Sequence, residues 1–256
     1  MAALLRLQGL VIRSRSYGEA DRLLTLLTYE KGKINGIAKG VRKPTSRLKA
    51  GVQLFSQSDM MVHEGKNLYT ITQAEPIESF FSLQTDPDRF THASYMAELV
   101  DKFSLDQGGA ELYPLLLTFW HLLSVYQIPL VTRLFELRFL DQLGYGPVFD
   151  ACINCGIILP ETKDPMVTSN YPIYSPIKGG TVGACCQRFD DKGYILPPNA
   201  LALLNYLRVM DPREIHKVQV GEKNAMLIRR VLQETIQSRY EGRMRSWTVL
   251  ETMGGN

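Results

Sequence analysis

Four cysteines, Cys152, Cys155, Cys185 and Cys186, carry the clearest inorganic chemistry in this 256-residue chain. Cys152 and Cys155 form a C-x-x-C pair followed by Gly156, a spacing at which two thiolates reach one tetrahedral ion. Cys185 and Cys186 are adjacent, and neighbouring side chains of an extended segment point apart, so both join one ion only through a local bend. The expectation is a structural zinc held by all four. A three-cysteine site completed by another ligand such as Asp190, or reduced thiols without metal, are the alternatives. Thiol redox chemistry is disfavoured, because no strand–helix–strand pattern surrounds the C-x-x-C and no helix clearly begins at Cys155.

The second chemical signal is charge. Seven of the twenty-nine Lys and Arg fall within nineteen residues, Lys31, Lys33, Lys39, Arg42, Lys43, Arg47 and Lys49, with no acid between them. Each phosphate that such a cation neutralises releases condensed counterion, so the block reads as a polyanion-binding surface rather than a base-reading one. A solvated, charged strand surface is the plain alternative. Aromatic groups able to stack on bases are few nearby, namely Tyr17, Tyr29, Phe55 and Tyr69. The cations alone do not distinguish ribose from deoxyribose, so an RNA-binding protein is the first rival reading. A zinc or thiol enzyme built on the C-x-x-C and a pure protein-interaction adaptor are the others.

No enzyme is expected. His63, His92, His121 and His216 are scattered and none stands in a nucleophile motif. There is no G-x-x-x-x-G-K-[ST] phosphate loop and no G-x-G-x-x-G. The acidic pairs Glu19/Asp21, Asp86/Asp88 and Asp190/Asp191 lie at turns or helix starts, where capping accounts for them. The overall charge is only +3, yet residues 1–80 hold twelve basic against seven acidic side chains, which confines the basic character to the N-terminal third. The longest apolar run, Leu115 to Tyr126, is broken by His121 and is shorter than the roughly 20 residues a bilayer requires. The first residues do not resemble a signal peptide, so a cytoplasmic protein is expected.

The elements that must position these groups follow from periodicity. Alternation predicts strands over Leu7 to Arg15, Arg22 to Tyr29, Ile34 to Val41, Val52 to Val62 and Leu68 to Ile77, with the cationic loop Arg42 to Ala50 between the third and fourth. Five short strands in about eighty residues fit an OB-type barrel that buries its own edges. Helical spacing then begins after Asp86-Pro87, with further helices over Ala110 to Tyr126 and Leu130 to Leu143. Residues 150 to 196 carry little periodicity and need a staple, which the cysteines supply. Helices resume at Ala200 to Val209 and Gly221 to Tyr240. The predicted class is α+β: a barrel domain over 1–80, a helical bundle over 81–149, a zinc-finger-like insert over 150–196, and helices over 197–256 that complete the helical domain.

Taken in order, the segments YGEADRLLTLLTYEKGKINGIAKGVRKPTSRL (17–48), RLFELRFLDQLGYGP (133–147), CINCG (152–156) and the glycine pair 179–180 resemble the RecO family of bacterial recombination mediators. The resemblance spans nearly the whole chain. It implies an N-terminal OB domain, a helical domain and a zinc-binding insert, and no enzymatic activity. It also implies binding of single- and double-stranded DNA, annealing of complementary strands without ATP, and loading of recombinase onto strands coated by single-strand-binding protein. The partners implied are RecR, RecF and the acidic C-terminal tail of the single-strand-binding protein, in the cytoplasm at the nucleoid. By position, the family's DNA-contacting cations correspond to Lys39, Arg42, Lys43, Arg47 and Lys49, with Arg13 and Lys33 beside them, and a tail-binding position corresponds to Arg133. A helix-surface salt bridge with Glu136 is the plain reading of Arg133. Two departures stand out. The family's second C-x-x-C is here Gly183-Ala184-Cys185-Cys186, which leaves the ligand set open, and Leu54 stands where Pro commonly precedes Phe55.

Overall fold

A computed structural model of the chain describes residues 3–159, 171–189, 193–242, 244, 246, 247 and 250, so Asp190 and Asp191 lie outside the described residues. The chain divides into two compact units, one of residues 1–128 with 244–256 and one of residues 129–243. The dividing point falls after Ile128, inside the stretch read from sequence as one bundle.

In the first unit five strands run β1 (Leu4–Tyr17), β2 (Asp21–Thr28), β3 (Gly32–Ala38), β4 (Gln57–His63) and β5 (Tyr69–Glu78). They close into a barrel in the order β1-β2-β3-β5-β4, sealed by parallel pairing of β3 with β5 over Gly36 to Ala38. Leu7, Val11, Leu24, Leu26, Ile34, Met60, Val62 and Ile71 fill its interior. The register of β1 on β2 shifts between Val11 and Arg13, which lets β1 bend and serve both neighbours along its length.

The fourth strand starts at Gln57 rather than at Val52. Two constraints delay it. A side chain on Gly51 would meet the Ala74 carbonyl oxygen at 2.5 Å, and Phe55 takes a left-handed backbone with φ 65°. That turn drives the Phe55 ring out of the strand plane to pack edge-on against Phe90 and Trp120, each at 5.3 Å.

Three helices lie beside the barrel: α1 (Phe81–Thr85), α2 (Pro87–Phe103) and α3 (Leu112–Val125). Asp86 caps α2 by accepting from the backbone N–H groups of Asp88 and Arg89, with Pro87 at the first helical position. The helices are fastened to the barrel by polar contacts as well as by packing. Gln57 donates to the Tyr113 hydroxyl at 3.0 Å, the Lys33 N–H donates to the Gly108 carbonyl at 2.8 Å, and the Gln107 N–H donates to the Lys33 carbonyl at 2.7 Å. The C-terminal segment returns to this unit: Ser246 donates its N–H and hydroxyl to Glu98 at 2.8 and 2.5 Å, and Met244 and Leu250 are buried.

The second unit contains α4 (Ile128–Gln142), β6 (Ile173–Ser175), β7 (Gly180–Val182), β8 (Tyr194–Ile195), α5 (Pro198–Val209) and α6 (Glu222–Arg239). Arg138 on α4 donates to the carbonyls of Arg208 and Met210 at the end of α5, and Arg208 pairs with Asp141 at 3.0 Å. The three short strands form a sheet in the order β7-β6-β8, where the sequence had indicated only loop. Among the described residues, no helix is long and apolar enough to cross a membrane.

Candidate nucleic-acid interface and metal centre

Beyond its bulge, β1 turns Arg13, Arg15 and Tyr17 to the outside of the barrel. Cross-strand pairing makes rows of them: Arg13 with Thr25 and Asn35, then Arg15 with Leu23 and Ile37, then Tyr17 with Asp21. Lys39 follows directly after β3, and the 39–56 loop continues the same end of the barrel. That loop is a fixed arm rather than a loose one. Val41 and Val52 are buried in the barrel core with Leu48 against them. Asp21 accepts from the Gly40 N–H at 2.7 Å, the Arg42 N–H donates to the Ala20 carbonyl at 2.9 Å, and the Ser46 N–H donates to the Lys43 carbonyl at 3.1 Å. Gly40, at φ 65°, turns the chain out of β3.

On this frame Lys39, Arg42, Lys43, Arg47 and Lys49 are all exposed, and none forms an ion pair among the described residues. The guanidinium of Arg42 donates to the Gly18 carbonyl at 3.3 Å, which holds it at the end of β1. Arg15 is exposed on the same face. The spacing Arg13-x-Arg15 was the available signal for it, since alternate residues of a strand share a face.

Three other cations are placed differently. Lys33 is only 9% exposed; it donates to the Asp101 carbonyl at 2.7 Å and lies 3.5 Å from the Asp101 carboxylate. It is a tie between β3 and the end of α2, so its charge is already spent inside the unit. Arg13 is half out, 3.7 Å from the same carboxylate. Arg133 is 8% exposed and pairs at 2.9 Å with Glu136, which is fully buried. The expected ion pair with Glu136 is therefore present, but it is buried rather than on a helix surface.

The four cysteines come together in the second unit. Their Sγ atoms all lie within 4.8 Å of one another, with Cys155 and Cys185 at 3.5 Å and Cys185 and Cys186 at 3.7 Å. Four sulfurs each about 2.3 Å from one zinc stand roughly 3.8 Å apart, so the cluster has the dimensions of a tetrahedral site. Two turns build it. The Gly156 N–H donates to the Cys152 carbonyl at 2.7 Å with Gly156 at φ 74°, and the Cys186 N–H donates to the Gly183 carbonyl at 2.9 Å. The second turn is the bend that the adjacent pair requires. Ile153 N–H to Thr181 carbonyl at 2.9 Å, and the Thr181 hydroxyl to the Ala151 carbonyl at 3.0 Å, stitch the two turns side by side.

Electrostatics agree with a cation. Burial pushes the Cys152 thiol up, but backbone N–H groups of Gly183, Asn154 and Cys155 outweigh it and bring the value down to about 6. The Cys186 thiol is raised by burial and then by the neighbouring cysteines to about 12, and the Cys185 thiol is raised by its contact with Cys155. Four thiols at this spacing cannot all ionise against one another, whereas a divalent ion at their centre removes the conflict. The donor set thus suits zinc, which would serve as a structural Lewis acid cross-linking the two turns.

The chain matches the family model described as recombination protein O N terminal over residues 1–80 and that described as recombination protein O C terminal over residues 84–248. It is 55% identical to a DNA repair protein RecO of Heliobacterium modesticaldum over 251 residues, 98% of this chain and 90% of that one. It is 36% identical to a DNA repair protein RecO of Alkaliphilus metalliredigens over 91% of this chain and 92% of that one. It is also 35% identical to a DNA repair protein RecO of Symbiobacterium thermophilum over 98% of each. With both of its units covered by the two models and relatives aligned from end to end, the chain belongs to the RecO family.

Proposed function

We propose that the protein is a non-enzymatic mediator of DNA repair and recombination whose OB-type barrel binds the phosphate backbones of single- and double-stranded DNA. The observation that carries this reading is the row of exposed cations at Lys39, Arg42, Lys43, Arg47 and Lys49, without an ion pair among the described residues, on an arm pinned to the barrel core. Cations fixed in space neutralise phosphates without paying to order a loop, and they favour no base sequence. Held on both the barrel face and the arm, they lower the mutual repulsion of two strands at once, so complementary strands anneal quickly without ATP. The same property fits a factor that helps load recombinase onto strands coated by single-strand-binding protein, with that protein's acidic tail, RecR and RecF as partners. Zinc at the four cysteines orders the insert and takes no part in the chemistry.

The test is the rate at which complementary strands, each coated with single-strand-binding protein, anneal in the absence of nucleotide. Acceleration by the protein, lost in a Lys39→Glu, Arg42→Glu, Lys43→Glu variant, is expected. No acceleration by the unmodified protein would overturn the annealing role. Equal activity of the two proteins would move the DNA site off this face.

A further inference from the structure

Four aromatic residues near the cations could in principle stack on a base, and the structure separates them. Phe55 is fully buried between Phe90 and Trp120. Tyr69 is 5% exposed, with its hydroxyl donating to Glu64 and Lys31 over its ring. Tyr29 is exposed but rests edge-on against Tyr113 at 5.8 Å, away from the arm. Tyr17 is 54% exposed and has no ring or hydrogen-bond partner among the described residues.

Its surroundings are those of a ligand contact. Tyr17 shares the outer face of β1 with Arg15, about 7 Å away along the strand. It immediately precedes Gly18, whose carbonyl holds the Arg42 guanidinium at 3.3 Å. The neighbouring row places the half-buried aliphatic side chains of Leu23 and Ile37 between Arg15 and the end of β3. One aromatic face, a cation on either side and an apolar floor are what an unpaired base and its flanking phosphates require. A base in a duplex is already stacked on both sides and presents no face to the ring.

We infer that Tyr17 stacks on an unpaired base and so adds to single-strand binding a contact that duplex cannot make. The inference rests on the proposed DNA interface, supplying to it the one contact that the cations cannot make. Because a single ring is present, it engages one base per protein with little regard to which base it is.

The experiment pairs a protein change with a ligand change, as in a double-mutant cycle. The full-length protein and its Tyr17→Ala variant are titrated by fluorescence anisotropy against an oligothymidylate, a base-free phosphodeoxyribose strand of equal length, and a duplex. Loss of one stacking contact weakens oligothymidylate binding roughly 5- to 150-fold. The base-free strand and the duplex should lose no more than about twofold, since phosphate contacts are untouched. Tyr17→Phe should bind as the unmodified protein does. Equal losses on thymidylate and base-free strands, or no loss on either, would overturn the inference while leaving the cationic interface standing. Failure of the unmodified protein to bind any of the three ligands would instead overturn the interface reading, and Tyr17's role with it.

Discussion

The cationic arm makes a quantitative demand on salt dependence. Lys39, Arg42, Lys43, Arg47 and Lys49 are exposed and have no acidic partner among the described residues, so each is available to one phosphate. At about 0.7 counterion released per contact on a single strand, five contacts give a slope of log affinity against log salt of about −3.5, and duplex, at about 0.9, gives about −4.5. Changing Lys39, Arg42 and Lys43 to Ala leaves two contacts and a single-strand slope of about −1.4. Between 50 and 200 mM salt the unmodified protein then loses about 130-fold in affinity and the variant about 7-fold. Should Arg15 meet a further phosphate, both slopes steepen by about 0.7 and the difference of about 2.1 between the proteins is preserved.

The measurement is fluorescence anisotropy of a labelled oligothymidylate over a series of sodium chloride concentrations. All three residues are exposed, so the variant should unfold at the same temperature as its parent. Lys33→Ala is the internal control: its ammonium is spent on Asp101, so the slope should not move. Equal slopes for the triple variant and its parent would refute the assignment of phosphate contacts to the arm. A slope change in Lys33→Ala as large as that in the triple variant would refute the reasoning that burial and pairing take a cation out of the interface.

The remaining expectations concern stability and metal. Lys33→Ala removes charge-assisted contacts between β3 and α2 and should cost about 2 kcal/mol in urea denaturation, with DNA affinity within about twofold of the parent. Arg133→Ala strips a fully buried carboxylate of its guanidinium at 2.9 Å. It should cost about 3–5 kcal/mol, while the double change Arg133→Met, Glu136→Leu should recover most of that in the same assay. Native mass spectrometry should find one zinc per chain, reduced in Cys155→Ser. The Cys152 thiol sits at about 6, below its ordinary 9.0, so the stability its thiolate contributes is complete above 9.0 and is lost as the pH falls through about 6. Protons also compete with zinc for the thiolates, so zinc content and melting temperature should fall together as the pH is lowered.

The barrel was legible from its short strand-like runs, of which β2 and β5 lie within one residue of their observed ends, whereas β3 stops at Ala38, three residues before the expected Val41. The start of β4 was not, because the interruption depends on a left-handed Phe55 and on the approach of Gly51 to Ala74, both consequences of packing. The strands β6 to β8 are two or three residues long and carry no period to read. The cysteines were legible as residues and spacing, but the adjacent pair needed the turn at Gly183 to Cys186 to make sense of it. Charge was the least legible property of all. Lys33 and Lys39 lie on the same strand-parity face, yet the end of α2 covers one and leaves the other in solvent. A count of cations from sequence thus overstates the interface by those that a neighbouring element has already neutralised.

The opposite side of the barrel completes the electrostatic argument. Asp59 on β4 stands directly across from Glu75 on β5, and Glu78 follows on the same strand. Of these, Asp59 is engaged at 2.8 Å by the exposed Arg6, a surface pair of little energetic weight. Glu30 also faces this half of β1, where it accepts from the Gln8 N–H at 3.1 Å. The outer wall over β4 and β5 therefore repels a phosphate backbone, while the arm and the far end of β1 attract it. Asp101 and Asp106 set a second limit, since they lie 3.5 and 3.9 Å from Lys33 on β3 and Asp101 also stands 3.7 Å from Arg13 on β1. On the proposed interface, a strand arriving by diffusion is drawn to the sector that carries the arm, whose edge holds Tyr17. On the proposed interface, placement of DNA would thus follow from where acids exclude it as much as from where the cations lie.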